Sequence, residues 1–379
     1  MKKIMMSGLS GNEIYCMDLK GFYSAGVLIG NSVQSMGFLR GIKSSFQGVL
    51  GGEIENVTQI IHEGREQAFE RMIQEAKQHG SNGIAGVTSE IRNLAGNTEF
   101  LFTGTGLKSK KEQDQKMFSS AGDAQELYCH MDAGYQPLSF AFGNIAYSVG
   151  LGGGVLGLLK TFVKGEIQEF SDVFNHTRHF ALNRLLKNAY QNGANSVVGI
   201  RTNVMNFDGF HEMYMVGTAT QNQNLTLGKG EIISSDLTGE ELWSLTKMGY
   251  APIKLLISTS VYSLGIIGGF KSVLKGFVKG EISELTDMIY HAREQVFSRI
   301  EREAIQLEAD EVVGIKTYIL EIGSGLIEIF AIGTAVKKVD GLKVENENLP
   351  AQAIIRDRDT WLSGESGFDV TSIRAGGSN

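Results

Sequence analysis

Apolar side chains recur three or four residues apart along three long stretches of the chain. In the first stretch this spacing places one apolar stripe on a helix: Val57, Ile60, Ile61, Ala68, Phe69, Met72, Ile73 and Ala76. Such spacing is typical of an amphipathic helix that buries a single face. Residues 170–189 and 285–304 carry apolar side chains at the same places, with only Glu301 off the pattern. The pattern therefore predicts three equivalent long helices.

The ends of these helices are marked by capping residues. One position near each start holds a hydroxyl that can cap a helix N-terminus: Thr58, Ser171 and Thr286. Gly80 and Gly193 are expected to stop the first two helices, because glycine readily adopts the left-handed conformation that ends a helix. Glu308 occupies the corresponding position in the third.

Two β-rich segments follow each helix. The first of them contains many β-branched residues in all three places: 84–91, 197–204 and 312–319. Each has one interior glycine (Gly86, Gly199 or Gly314), which predicts a bulge or a close backbone approach. A turn and a second segment ending in Gly-Thr complete a predicted antiparallel hairpin.

Three shorter elements are predicted ahead of the first long helix. Ser35–Leu50 is interpreted as a glycine-interrupted helix, and Ile14–Met17 and Ala25–Ile29 as strands. One unit is then β-β-α-α-β-β, and the predicted fold class is α+β, with an antiparallel sheet that carries its helices on one face.

The helices and hairpins belong to a threefold internal repeat. Arg65, Arg178 and Arg293 recur at offsets of 113 and 115 residues. Repeats of this size are domains, which excludes solenoid arrays with periods of about 20–50 residues. The predicted organisation is three units, joined by solvated linkers, and then a flexible tail: residues 1–107, 124–221, 238–338 and 339–379.

Charge and cysteine content narrow the functional class. The 379 residues carry 35 basic and 42 acidic side chains, a net charge of −7, which argues against a nucleic-acid binder. Two cysteines are too few for the disulfide framework of a small secreted domain. The N-terminus lacks the apolar core of a signal peptide. We therefore expect a cytoplasmic protein.

A membrane-associated function is one alternative. Leu138–Leu159 carries no charge and is long enough to span a bilayer, and Leu255–Phe270 is similarly apolar. Glycines interrupt the first stretch, and the equivalent segments carry Arg40, Lys43 and Lys271. A transmembrane helix is therefore not favoured.

Several local motifs resemble those of the YbjQ-type family, small uncharacterised proteins labelled as heavy-metal-binding. The matching residues are Gly193–Gly199 (GANSVVG), His291–Glu294 (HARE) and Gly333–Val336 (GTAV), with a looser version in the first unit. The resemblance covers about 300 residues as three tandem units. It implies a dodecin-like α+β subunit that assembles into five-fold rings. Five chains forming three stacked rings, a pentamer, would be the simplest closed assembly.

The metal-binding label has little support from the residues themselves. There is no Cys-x-x-Cys or His-Glu-x-x-His motif. Cys16 and Cys129 share one repeat position, Cys129 precedes His130, and His176 and His179 lie three apart on a helix. No catalytic motif of the Gly-x-Ser-x-Gly or Gly-Lys-Ser/Thr type occurs. No catalytic, cofactor-binding or metal-ligating residue is therefore assigned, although a divalent or soft metal shared between chains stays an alternative.

At four positions of the repeat, the same charged residue occurs in every unit: Glu53, Glu166 and Glu281; Arg65, Arg178 and Arg293; Arg71, Arg184 and Arg299; Glu99, Glu212 and Glu328. Two interpretations are open. In the first, these residues form ion pairs, within a unit or across a ring contact, in which planar guanidinium groups bind carboxylates. Alternatively, they line an anion pocket repeated around a ring.

The predicted function is a non-enzymatic, ring-forming scaffold or binding protein whose main partner is itself. Duplication of a whole domain without a catalytic set in any copy favours this hypothesis. The alternatives are heavy-metal or small-ligand sequestration at sites between subunits, and a membrane-associated stress or defence function.

Overall fold

Three units with the same two helices and three long strands make up most of the part of the chain that the structure describes. The computed structural model describes residues 4–35, 52–94, 97–111, 116–148, 165–207, 210–225, 231–263, 283–323 and 326–350. Unit 1 contains α1 (Gly11–Leu19), β1 (Phe22–Gln34), β2 (Gly52–Glu53), α2 (Glu55–Gln78), β3 (Gly83–Leu94) and β4 (Asn97–Ser109). Unit 2 contains β5 (Phe118–Ser119), α3 (Ala124–Asp132), β6 (Gln136–Ser148), β7 (Gly165–Glu166), α4 (Gln168–Gln191), β8 (Ser196–Phe207) and β9 (Phe210–Gln221). Unit 3 contains β10 (Ile233–Ser234), α5 (Gly239–Lys247), β11 (Tyr250–Ser263), α6 (Ser283–Gln306), β12 (Glu311–Gly323) and β13 (Leu326–Lys338).

The α+β class, the three long helices and the hairpins are confirmed. Gly80 and Gly193 follow the helix ends with φ of 68° and 81°. Glu308 takes the same conformation, with φ of 52°. The predicted bulges are present as well, because the register between β3 and β4 shifts around Gly86, whose φ is 65°.

The strand predicted at Ile14–Met17 is wrong, since these residues lie in α1. The cause is a capping box. Glu13 donates its backbone N–H to Ser10 Oγ, while Ser10 N donates to the Glu13 carboxylate, so the orphan amides of a helix start are satisfied. Thr238 and Glu241 form the same capping box at α5, whereas Asp123 caps α3 by accepting from Gln125 N and Glu126 N. The helix predicted at Ser35–Leu50 lies outside the described residues, except for Ser35.

The sheets reveal how the units are joined. Within each unit the long strands form an antiparallel order, β1-β4-β3, β6-β9-β8 or β11-β13-β12. The sheet of unit 2 has five strands, because β2 of unit 1 pairs with β6 and the segment β10 pairs with β8. The outer sheets have four strands each, with β5 added beside β3 and β7 beside β11. Every two-residue strand therefore links neighbouring units.

The segments between units are only partly the solvated linkers that the sequence predicts. Their ends are the buried strands β5 and β10, which run parallel to β3 and β8. The bulges turn backbone amides away from the hairpin, and carbonyl groups of the linkers accept hydrogen bonds from them. Val87 N donates to Ser120 O at 2.9 Å, and Ile200 N donates to Ser235 O at 2.8 Å. A buried amide without such a partner would be costly.

Each of the first two long helices lies between two sheets. Helix α4 packs on its own strands β6 and β9 and also on β11 of the next unit. Leu182 and Leu185 of α4 share a buried cluster with Ile257 and Val261 of β11. Helix α2 likewise contacts both β1 and β6. The hydrophobic core is therefore continuous from one unit to the next.

Residues 339–379 are predicted from the sequence to be a flexible tail, and the structure describes the first part of this segment, residues 339–350. Residues up to 350 lie across the short helices, with Val344 and Leu349 against their apolar cluster. Glu345 pairs with Lys20 of unit 1 at 2.6 Å, Asn346 binds Asp132 of unit 2, and Lys247 of unit 3 binds Glu347. One segment thus touches all three units. Residues 351–379 lie outside the described part of the chain.

The apolar stretches considered as membrane spans begin as strands. Residues 138–148 belong to β6 and residues 255–263 to β11, and the remainder of both stretches is outside the described residues. None of the helices described here has the length and hydropathy needed to cross a membrane.

Candidate functional site: the contact between units

The repeated charged positions meet where one unit contacts the next. At the first junction, Arg65 of α2 forms a fork with Glu212 of β9: Nη2 donates to Oε2 at 2.9 Å, and Nη1 donates to Oε1. Both side chains are at most 1% exposed. Burial by itself would lower the pKa of Arg65, but the adjacent Glu212 carboxylate outweighs it and the pKa lies above its usual value.

The second junction repeats this fork. Arg178 Nε donates to Glu328 Oε1 at 3.1 Å, and Nη2 donates to Oε2. Thr259 Oγ1 adds a third bond to Glu328, at 2.8 Å. Neither charged side chain is exposed at all. A buried pair of this kind holds its geometry because each partner alone would be an uncompensated charge.

Aromatic rings cover each buried guanidinium group. The Arg65 guanidinium lies 3.8 Å from the centroid of Tyr214, and that of Arg178 lies 4.9 Å from Phe330 and 5.1 Å from Tyr147. Tyr214 and Phe330 occupy equivalent positions, two residues after the paired glutamate. Burial raises the pKa of Tyr214 to about 12, so its hydroxyl stays protonated. The rings shield the charge pair from water and attract the cation.

A second ion pair crosses each junction in the opposite direction. Glu53 of unit 1 pairs with Arg184 of unit 2 at 2.7 Å, and Glu166 of unit 2 pairs with Arg299 of unit 3 at 2.7 Å. Burial would raise the pKa of Glu166, but hydrogen bonds from Ser260, Arg299 and Ser171 together hold it below its usual value. Each junction therefore contains two charge pairs of opposite polarity.

The hydroxyls predicted to cap the long helices have a different role. Helices α2 and α4 begin three residues earlier, and neither N-cap position makes a side-chain cap. Thr58 Oγ1 accepts from Ala146 N at 2.9 Å, and Ser171 Oγ accepts from Val261 N at 2.9 Å. The two donors belong to the next unit along the chain. These side chains therefore bind neighbouring units together.

The ion-pair interpretation thus holds for the charged positions at both junctions. Their counterparts at the chain ends are placed differently. Arg293 and Arg71 are exposed, whereas Glu99 is half-buried and accepts a hydrogen bond from Asn31 at 3.0 Å. Glu281 lies outside the described residues.

The cysteines and histidines do not form a recognisable metal centre. Cys16 and Cys129 are free, buried thiols; burial raises the pKa of Cys16 to about 11, and that of Cys129 is raised as well. Burial lowers the pKa of His130 to about 3, which keeps it neutral. His176 is exposed, and burial lowers the pKa of His179. In the described ranges no three His, Cys, Asp or Glu side chains come together as metal ligands would.

A concave surface lies where the bulge-bearing strands of the three units face one another. A cavity of about 570 Å³ is lined by residues from β3, β8 and β12, and one of about 870 Å³ continues along the same strands. Two ion pairs stand at the first cavity, Arg201 with Glu126 and Lys316 with Asp236. Its lining mixes both charges with apolar groups, and this gives it no marked preference for cations or anions.

Comparison with known proteins agrees with this repeated architecture. A family profile described as "Putative heavy-metal-binding" matches residues 20–110, 134–223 and 250–339, which together are most of the chain. The chain belongs to the YbjQ family. The resemblance seen in the motifs is therefore confirmed, and each structural unit contains one YbjQ match.

Relatives of two sizes match the YbjQ units. The "Encapsulin nanocompartment protein Rv1762c" of Mycobacterium tuberculosis is 26% identical over 246 residues, covering 62% of this chain and 90% of the relative. Single-unit relatives named "UPF0145 protein" include one from Methanococcus vannielii, 37% identical over 23% of this chain and 83% of its own length. Another, from Helicobacter hepaticus, is 39% identical over 22% of this chain and 82% of its own length. None of these names denotes an enzyme.

Proposed function

We propose that this protein is a non-enzymatic scaffold subunit that assembles with copies of itself. The observation that carries the proposal is the junction: the same buried Arg-Glu fork, the same reverse ion pair and the same two-residue strand join unit 1 to unit 2 and unit 2 to unit 3. A contact that one chain makes twice is suited to propagation, because heterologous contacts repeat until they close or extend.

The relatives support an assembling role. The name of the M. tuberculosis relative refers to an encapsulin nanocompartment. The single-unit relatives offer the same module without covalent linkage. Linking three modules in one chain would raise their effective concentration and favour assembly. We accordingly infer that the chain supplies a preformed arc of three units.

The arc changes the expected stoichiometry. Both lateral faces of unit 2 are covered by units of the same chain, since α4 packs on β11 and α2 packs on β6. Five chains in three stacked rings would need those faces for other chains, and the contact geometry argues against that arrangement. In a ring closed by whole chains, the number of units is a multiple of three. We infer a cytoplasmic location from the two free, buried thiols.

The experiment is a mass measurement across concentration. Mass photometry at nanomolar and light scattering at micromolar protein are expected to reveal species at multiples of the 41.3 kDa chain mass. The share of the larger species should increase with concentration. A protein that stays at the mass of one chain throughout this range would contradict the proposal.

A further inference from the structure

The two ends of the arc lack complementary strands. In the part of the chain that the structure describes, the sheet of unit 1 has no short strand beside β1, although β6 and β11 have one. The sheet of unit 3 has no parallel strand beside β12, although β3 and β8 have one. The short strand beside β6 or β11 comes from the preceding unit, and the parallel strand beside β3 or β8 comes from the following unit. Unit 1 therefore lacks the strand that a preceding unit would supply, and unit 3 lacks the strand that a following unit would supply.

The charged residues at the two ends are complementary as well. Arg293 corresponds to Arg65 and Arg178, which are buried in ion pairs, yet it is exposed. Glu99 corresponds to their partners Glu212 and Glu328 but contacts no guanidinium group among the described residues. Each end therefore presents one half of the fork found at both junctions.

Apolar side chains are exposed at both ends where the junctions bury them. On β1, Ile29 is 54% exposed, whereas Phe142, at the same position of β6, is 3% exposed. Val27 corresponds to Phe140, which lies 5.5 Å from the ring of Phe69 at the first junction.

The facing surface of unit 3 is an apolar groove. The groove, about 420 Å³ in volume, is lined by Phe297, Ile305 and Ile315 among others, and Phe297 corresponds to Phe69. These three side chains are also among the exposed large apolar groups of the chain. Their exposure makes the groove the counterpart of the apolar face on β1.

We infer that unit 3 of one copy docks on unit 1 of a second copy and recreates the junction between units. In this contact Arg293 pairs with Glu99 of the second copy, and Phe297 packs against its Val27. Met5 and Met6 of the second copy correspond to Phe118 and Ser119 of β5, so they lie along β12. The inference rests on the proposed self-assembly and gives it a direction, head to tail.

The charges favour this direction over a symmetric contact. A contact of unit 3 with unit 3 would set Arg293 against another Arg293, and a contact of unit 1 with unit 1 would set Glu99 against Glu99. Like charges facing each other at an interface are costly and suppress wrong partners. Only the head-to-tail contact brings opposite charges together with matching apolar faces.

Charge reversal tests the contact. Arg293→Glu and Glu99→Arg are expected, each alone, to weaken association at least tenfold in the mass measurements. The double variant Arg293→Glu/Glu99→Arg, and an equimolar mixture of the two single variants, should regain the larger species. Arg302→Glu is the matched control, because Arg302 is exposed on the same helix and no carboxylate pairs with it in the described ranges. It should assemble like the wild type.

The outcomes separate this inference from the proposed function. Single variants that assemble as well as the wild type would overturn the head-to-tail contact and leave self-assembly standing. The contact would also be overturned if circular dichroism shows that the variants are folded but neither the double variant nor the mixture regains the larger species. A wild type that never exceeds one chain mass would overturn both.

Discussion

The middle unit and the last unit carry the same arginine at the same place on the same helix, but in different surroundings. Arg178 is completely buried between Glu328 and two aromatic rings, whereas Arg293 is exposed. The helices that bear them are both 24 residues long and share their apolar stripe. The difference therefore comes from the neighbour: unit 3 packs against Arg178, whereas no unit packs against Arg293 among the described residues.

Removing the buried arginine is the largest expected perturbation. Arg178→Ala leaves the Glu328 carboxylate buried without its counter-charge, and the free energy of unfolding should decrease by about 3–5 kcal/mol. Guanidinium chloride denaturation followed by circular dichroism measures this.

Arg293→Ala is the matched control, measured at a dilution where the chain is single. It should change the unfolding free energy by less than about 0.5 kcal/mol, as exposed substitutions usually do. Equal losses for the two variants would show that burial at the junction does not distinguish these positions.

Close packing between helix and strand provides the next comparison. A Cβ atom at Gly143 would overlap the backbone of Ala181 and Leu185 in α4, whereas unit 3 has Ser258 at the equivalent position. Gly143→Ala is therefore expected to lower the unfolding free energy by about 1–3 kcal/mol through overpacking.

Gly11→Ala serves as its control, because a Cβ there meets nothing within 4 Å. A melting temperature for Gly143→Ala equal to that of this control would mean that the helix moves away from β6 at no cost.

The segment that crosses the short helices is expected to have a smaller effect. Asn346 hydrogen-bonds the buried Asp132, which also accepts from Lys20 and Trp243. Asn346→Ala should cost about 1–2 kcal/mol, because a bond to a charged group is lost.

Hydrogen exchange should then be faster in α3. The exposed Asn348→Ala is the control and should leave the exchange unchanged. Unaltered protection of α3 in Asn346→Ala would show that the segment does not hold the short helices in place.

The smallest expected effect is a pH dependence at the second junction. The pKa of Glu166 lies below its usual value in the folded chain, so its ionised form stabilises the fold at neutral pH. This contribution disappears as the pH falls through the lowered pKa. Glu166→Gln should therefore be less stable than the wild type at neutral pH, and the difference should shrink below about pH 4.5.

Urea unfolding at a series of pH values measures the difference, with the exposed Glu169→Gln as control. A wild-type-to-variant difference that stays constant from neutral to acidic pH would contradict the assigned role of Glu166.

The sequence predicts the elements that depend on local patterns. The helix stripe around Ala68 and the bulge at Gly86 were recognisable because period and glycine conformation are local properties. The short helix α1 was missed although its capping box, Ser10 and Glu13, is visible in the sequence. Two residues of β5 are too few to carry a periodic signal.

The junctions were not predictable in the same way. Arg65 has three equivalent glutamates as candidate partners, and nothing in the repeat indicates that the next unit, with Glu212, supplies the partner and not Glu99 of its own unit. The sequence predicts a helix cap at Thr58 because hydroxyl caps are common, but the Thr58 hydroxyl accepts from Ala146 N of unit 2. Tertiary contacts of this kind override local preference.

Cross-linking between two tagged variants tests the head-to-tail account most directly. One protein carries Arg293→Cys and the other Glu99→Cys, and a short bismaleimide joins cysteines that lie close together. Cys16 and Cys129 are buried with raised pKa values and should not react. The account predicts a covalent dimer that contains both tags, formed in the mixture and from neither protein alone. Dimers formed by each variant separately, or no dimer in the mixture at concentrations where mass photometry shows that the two variants associate, would contradict it.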